Sequence, residues 1–465
     1  MNSAPHPYPY CERRAQLAQR TREAGGGIAV VMTAPEMLRS RDSEHAFRHD
    51  SYFHYLTGFD EPHSGLVLRA DGSSVLFCRN KDSAKEIWDG RRLGPQDAPH
   101  TLAVDEAHAI DQMDALLPEL LNHQSTVWTL FGAPGGLEQR ISAWLAAVRD
   151  CSHLGSSSPG THRDLALLLD EMRLIKSAPE IATMRRAASI SAGAHARAMR
   201  YCAQRFRAEP TGSVREYEIE AELLHEFRRH GAQSPAYTSI VAAGANACVL
   251  HYAASDALLA SGELCLIDAG CELDGYASDI TRTFPANGRF SAAQRELYDI
   301  VLAAQEAAVA VTRPGARQRD AHQAALQVLA QGMLDTGLLS RDTHGQVDDV
   351  IASAAYRQFY MHGTGHWLGR DVHDVGEYLA LDEAAFEQPD GLGGNVIKPP
   401  SRKLLPGMVV TLEPGLYVRP AEGVPERYWN IGIRIEDDAV ITDTGCELIS
   451  RGVPVKADEI EALMR

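Results

Sequence analysis

Residues Leu264–Phe284 read LCLIDAGCELDGYASDITRTF. Two apolar runs flank Asp274-Gly275, a dipeptide that favours tight turns, so the segment reads as a β-hairpin. Two registers fit it. A turn centred between Leu273 and Asp274 sets Asp268 opposite Asp279. A turn centred one residue later sets Asp279 diagonal to Asp268, two places along the strand from Thr281. Either register puts both carboxylates on one face, because strand side chains alternate with a period of two. Like charges across a ladder repel, so the pair calls for something positive between them.

Outward from the hairpin, three more segments carry residues of the same kind. Met361–Glu377, MHGTGHWLGRDVHDVGE, holds His362, His366 and His373 among glycines that suit a tight turn, not an amphipathic helix. In Met408–Val418, MVVTLEPGLYV, Glu413 ends an apolar run, where a carboxylate needs a cation or hydrogen bonds to offset its desolvation. In IGIRIEDDAV, alternation sets Ile431, Ile433 and Ile435 on one face and Gly432, Arg434 and Glu436 on the other. Each acid taken singly is more often a surface group. Together, Asp268, Asp279, Glu413 and Glu436 supply four negative charges and one histidine supplies a nitrogen, which balances two divalent cations with room for a bridging hydroxide. This oxygen-rich set suits Mn²⁺ or a similarly hard ion, and two ions about 3.5 Å apart would lower the pKa of a shared water. By contrast His225-Glu226-Phe227-Arg228-Arg229-His230 is one residue too long for H-E-x-x-H. Five-residue spacing on a helix turns its two histidines to different faces.

The chain is 465 residues long, enough for two or three domains. Residues 1–165 read as an α/β unit: strands at Gly27–Met32, Gly65–Leu68 and Ser74–Cys78, helices near Asp105–Leu121 and Leu137–Val148, and a strand at Thr126–Leu130. The boundary falls at the linker-like GSSSPG, Gly155–Gly160. Residues 166–465 begin with helices near Pro179–Tyr201 and Val214–His230, and end in strand and loop. A net charge of −17 argues against a nucleic-acid partner. No apolar run is long enough to span a bilayer, the N-terminal residues lack a signal-peptide core, and eight scattered cysteines point to a reducing cytoplasm.

The segments IDAG…SDITRTFP, HGTGHWLGRDVHD, TLEPGLY and GIRIEDD together resemble the pita-bread metallopeptidases, most closely the bacterial Xaa-Pro aminopeptidase (aminopeptidase P) family. DSYFHYLTGFDEPHSGLVL and EIWDGRRLGPQDA are similar to that family's non-catalytic domain, so the resemblance covers nearly the whole chain. It implies an α/β N-terminal domain followed by a pita-bread catalytic domain, and metal ligands Asp268, Asp279, His366, Glu413 and Glu436. Asp279 and Glu436 would bridge two ions, Mn²⁺ with Zn²⁺ or Co²⁺ as alternatives, and Glu413 would also shuttle the proton. It implies that His362 and His373 contact the scissile carbonyl and the peptide beyond it. His251, Tyr237 and Arg434 would lie on the substrate side, and Trp88 would reach a neighbouring subunit's site in a homotetramer or homodimer. The activity implied is removal of the residue preceding proline from a peptide N-terminus. The alternatives are a prolidase confined to Xaa-Pro dipeptides and a catalytically inert binding homologue. Between Val375 and Lys403 the chain is longer than the family pattern, which implies a surface loop near the site.

Overall fold

The computed structural model describes residues 9–465, and the chain divides after Met172 into two compact units. The first unit holds a six-stranded mixed sheet. Its strands are β1 (Ile28–Met32), β2 (Gly65–Arg69), β3 (Ser74–Cys78), β4 (Glu106–Ala109), β5 (Thr126–Thr129) and β6 (Thr161–Asp164), in the order β4-β3-β2-β1-β5-β6. β2 and β3 form a hairpin turning at Asp71-Gly72, where Gly72 has φ +100° and the Asp71 carboxylate accepts the Ser73 N–H at 2.8 Å.

Alternation sorts the sheet's side chains into two cores. Ala29, Val31, Leu66, Leu68, Leu76 and Trp128 pack with Leu17 of α1 (Tyr10–Glu23) and Phe53 and Leu56 of α2 (Ser51–Thr57). Ile28, Val30, Val67, Val75, Phe77 and Val127 pack on the other face against Met113, Leu117, Ile141 and Trp144. The helix expected from Asp105 to Leu121 begins only at Met113. Glu106–Ala109 pairs instead in parallel with β3, because the open edge of that strand offers backbone partners that outweigh a weak local helical pattern. The Gly155–Gly160 stretch leads into β6, an edge strand of this same sheet, so the division falls beyond it.

The second unit carries its long helices as α3 (Ala178–Ala208), α4 (Glu216–Arg229), α5 (Ala292–Val311) and α6 (Gln318–Asp335). Its antiparallel strands are short. One sheet joins β7 (Ile240–Ala243), β8 (Leu264–Asp268) and β9 (Thr281–Pro285); another joins β10 (Val409–Leu412), β12 (Asp437–Ile441) and β13 (Cys446–Leu448). The strand Ile431–Arg434, here β11, pairs with Gly415–Val418. A bridge between Thr281 and Glu436 links β9 to the segment between β11 and β12. Ile431, Ile433 and Ile435 enter the main core while Arg434 and Glu436 face the other way, as alternation requires. The long Val375–Lys403 stretch forms a two-stranded hairpin, Phe386–Pro389 with Asn395–Lys398.

Candidate metal centre

A cavity of about 650 Å³ opens among the strands of the second unit, and ten of the eleven residues singled out above line it: Tyr237, His251, Asp268, Asp279, His362, His366, His373, Glu413, Arg434 and Glu436. Trp88 does not. It lies in the first unit on the short helix Ser83–Asp89 and is 87% exposed.

Asp268 ends β8 and pairs with Thr281, so the later of the two registers is the one formed. Asp279 falls where the ladder breaks: Ala269 N–H reaches Ile280 O at 3.0 Å, and Ser278 N–H reaches Cys271 O at 3.1 Å. A Cβ on Gly270 would lie 1.7 Å from Ser278 O, so only glycine permits this crossing. The freed Asp279 N–H points at the Asp438 carboxylate, 3.2 Å from each oxygen. The Tyr237 hydroxyl lies 2.7 Å from Asp268 and also contacts Asp279. The hydroxyl thus sits between the two carboxylates and ties them together.

His366 is tied on both sides to Thr411, whose hydroxyl accepts its N–H at 3.1 Å and whose N–H donates to its carbonyl at 3.0 Å. A Cβ on Gly365 would meet Thr411 O at 1.9 Å, which is why the loop can come this close. The ring Nδ1 lies 2.9 Å from Trp367 O. A carbonyl only accepts, so Nδ1 is the donor and Nε2 is left for a ligand. That Nε2 faces Asp279 at 3.4 Å and Glu413 at 3.8 Å. Glu413 follows β10 with its N–H donated to Thr364 O at 2.8 Å, and Glu436 accepts the Thr281 hydroxyl at 2.7 Å. One ligand atom from each of Asp279, His366 and Glu436 falls within 4.8 Å of the others.

The electrostatics are those of a crowded buried anion cluster. Burial, then the Asp268 charge, pushes Asp279 above the usual carboxylate range. Burial with Asp279 and Glu413 does the same to Glu436. Burial raises Glu413 to about 7 against the opposing pull of His366 and Arg434. Burial works against a charge on His366, yet Asp279 and Glu413 outweigh it and lift the ring to about 9. Four carboxylates thus face Arg434, the one lysine or arginine lining the cavity, whose Nη2 lies 2.6 Å from Asp268. The excess of buried oxygen anions around one imidazole suits hard divalent cations.

A second group among the described residues, His49, His54 and Asp60 of the first unit, also clusters. Both rings reach one Asp60 oxygen, at 3.0 and 2.9 Å, but they stack at 3.8 Å and 16°. The two rings meet at the Asp60 carboxylate, which both hydrogen-bond. His225 is exposed on α4, and His230, just past its end, contacts Glu226 at 2.9 Å; the two do not form a site.

Residues 182–443 match the model of metallopeptidase family M24, and residues 10–128 match that of the aminopeptidase P N-terminal domain. This chain belongs to metallopeptidase family M24. It is 44% identical to the Xaa-Pro aminopeptidase of Escherichia coli over 97% of this chain and 96% of that one. Its fold is similar to that of Pseudomonas aeruginosa aminopeptidase PepP, with a TM-score of 0.88 at 44% identity and 98% coverage of each chain. It is equally similar to a single-residue variant of E. coli aminopeptidase P in complex with substrate, with a TM-score of 0.88, 44% identity, and 98% and 97% coverage. As an M24 chain it is a hydrolase of the metallopeptidase class, with an aminopeptidase P N-terminal unit ahead of the pita-bread unit.

Several residues of this M24 site escape a reading by motif. The Tyr417 hydroxyl joins His362 Nε2 at 2.8 Å to Arg434 Nη1 at 3.0 Å. Alternation in GLYV does set Tyr417 opposite Leu416 and Val418 and was the available signal. Thr281 and Asp438 carry no such signal, since their partners Glu436 and Asp279 lie more than 150 residues away in sequence.

Proposed function

We propose that the chain is an Xaa-Pro aminopeptidase that removes the residue preceding proline from a peptide's N-terminus. The carrying observation is the buried Asp279–His366–Glu436 cluster opening into the cavity, in a chain similar to the E. coli Xaa-Pro aminopeptidase along nearly its whole length. Asp268, Asp279, His366, Glu413 and Glu436 would hold the two ions, Mn²⁺ ahead of Zn²⁺ or Co²⁺. Two such ions supply a nucleophile from water at neutral pH and polarise the scissile carbonyl.

In this reading the protein's own groups do the rest. Asp268 receives the free α-amine, which restricts the enzyme to chain ends. Glu413 takes a proton from the attacking water and delivers it to the proline nitrogen, a poor leaving group until protonated. His362 or His373 donates to the tetrahedral oxyanion, and His251, Tyr237 and Arg434 border the bound peptide. The non-catalytic first unit offers Trp88 to a neighbouring subunit in a homotetramer or homodimer. A cytoplasmic setting agrees with free cysteines throughout the described residues, and no helix among them is long and apolar enough to cross a membrane.

The test uses protein stripped with chelator, reloaded with Mn²⁺, and offered an Xaa-Pro-Xaa tripeptide beside the matching dipeptide. Metal-dependent cleavage with the tripeptide preferred is expected. Cleavage of the dipeptide alone would make it a prolidase, and absence of both metal binding and cleavage would leave the inert homologue.

A further inference from the structure

Thr364 sits between His362 and His366 and is 3% exposed. Its hydroxyl is held from two sides: His322 Nδ1, on the second turn of α6, lies 2.8 Å away, and the Tyr360 hydroxyl lies 2.6 Å away. A hydroxyl has one proton and two lone pairs, so both contacts can be made at once, and together they fix the side chain's rotamer. The carbonyl of the same residue accepts the Glu413 N–H at 2.8 Å. A void of about 20 Å³, lined by His322, Thr364, Gly365, Thr411 and Leu412, lies beside the loop.

We propose that His322 is a positioning residue: by gripping the Thr364 hydroxyl it sets the peptide plane that holds Glu413 against His366. The ring itself lies outside the catalytic cavity. Burial, with Arg319 and Arg357 nearby, pushes its pKa down to about 4, so the ring is neutral at working pH and grips by hydrogen bond alone. Small displacements of a proton carrier are costly, since a misplacement of about 1 Å can slow turnover by around a hundredfold. The inference rests on Glu413 being a ligand and proton carrier.

The experiment compares His322→Ala, Thr364→Val, the double variant and His322→Asn, whose amide nitrogen can stand where Nδ1 stands. Each full-length protein is measured for kcat and KM on an Xaa-Pro-Xaa tripeptide, for Mn²⁺ affinity by calorimetry and for Tm. Expected are a kcat about tenfold lower in each of the first two with KM within about twofold, and weaker Mn²⁺ binding in both. The double variant should be no worse than the poorer single, and His322→Asn should recover most of the loss. Thr364→Val changes one hydroxyl for a methyl, so the linkage remains testable if His322→Ala folds poorly. Unchanged kcat and Mn²⁺ affinity in folded variants, with only Tm lowered, would overturn it, as would kcat losses that multiply in the double variant. Mn²⁺ affinity reads the linkage whether or not the tripeptide is cleaved, so failure of the substrate reading stays distinguishable.

Discussion

At the scale of single residues, the metal centre is a set of groups held in the wrong protonation state for ligation until cations arrive. Without metal, burial raises Asp279, Glu436 and Glu413, and the Asp279 and Glu413 charges lift His366 to about 9. Ligands must shed protons to bind, so loading Mn²⁺ at pH 7 should release roughly one to two protons per chain. Affinity should then fall as the pH is lowered from 8 to 6. Calorimetry in buffers of different ionisation enthalpy reads this directly, and binding without proton release would contradict the assignment. Tyr417 is a second test. Tyr417→Phe strands the buried donors of Arg434 and the ring nitrogen of His362, a loss of about 1–3 kcal/mol. It should show as a several-fold lower kcat with a modest fall in urea midpoint. His366→Ala should abolish turnover, whereas His225→Ala on the exposed face of α4 should leave it unchanged.

Between elements, the site depends on polar splices that join strands by side chains where the ladders stop. Arg282 of β9 is fully buried and donates to the Glu436 carbonyl at 2.6 Å, the Thr281 carbonyl at 3.0 Å and the Asp437 carboxylate at 2.8 Å. Replacing it by Met leaves Asp437 undercompensated in the core. Such losses run to about 3–5 kcal/mol, which chemical unfolding would register, with metal affinity falling in parallel. His195 of α3 works in the same layer, its Nε2 donating to Ala269 O at 2.9 Å. Burial, then the Arg282 charge, holds its folded pKa near 4 against an ordinary 6.5. A depressed folded pKa gives stability that is complete above about 6.5 and drains away as pH falls toward 4, because the unfolded chain takes the proton first. The span amounts to about 3 kcal/mol. Thermal melts of His195→Gln should show a shallower acid decline than the parent chain; parallel declines would sink the idea.

For the molecule as a whole, the open matter is what Trp88 and its exposed neighbour Ile87 do. Two large apolar side chains on one short exposed helix have no folding reason to be there. If Trp88 completes a partner's site, Trp88→Ala should raise KM for peptides longer than two residues, leave Tm unchanged and leave Mn²⁺ affinity intact. Sedimentation and kinetics over a dilution series would check it, and identical kinetics at every concentration would rule the role out. The Phe386–Lys398 hairpin is the other whole-molecule feature, exposing Leu392 and Ile397.

Much of the centre was legible because its chemistry is local. Alternation and the Asp274-Gly275 turn follow from covalent geometry within a few residues, so the sequence alone set both aspartates on one side. It also marked Glu413 as a carboxylate ending a buried strand and separated Arg434 and Glu436 from the three isoleucines. The register of the hairpin was not legible, because both pairings satisfy the same period. Packing chose the one that breaks at Gly270 and frees the Asp279 N–H for Asp438. Glu106–Ala109 read as helix for the same reason in reverse: its strand state exists only because the edge of β3 lies beside it. The hubs at Tyr417 and Thr281, and the hold of His322 on Thr364, join groups from separate segments. Their energies arise when folding excludes water from pairs distant in sequence, and no local pattern carries that information.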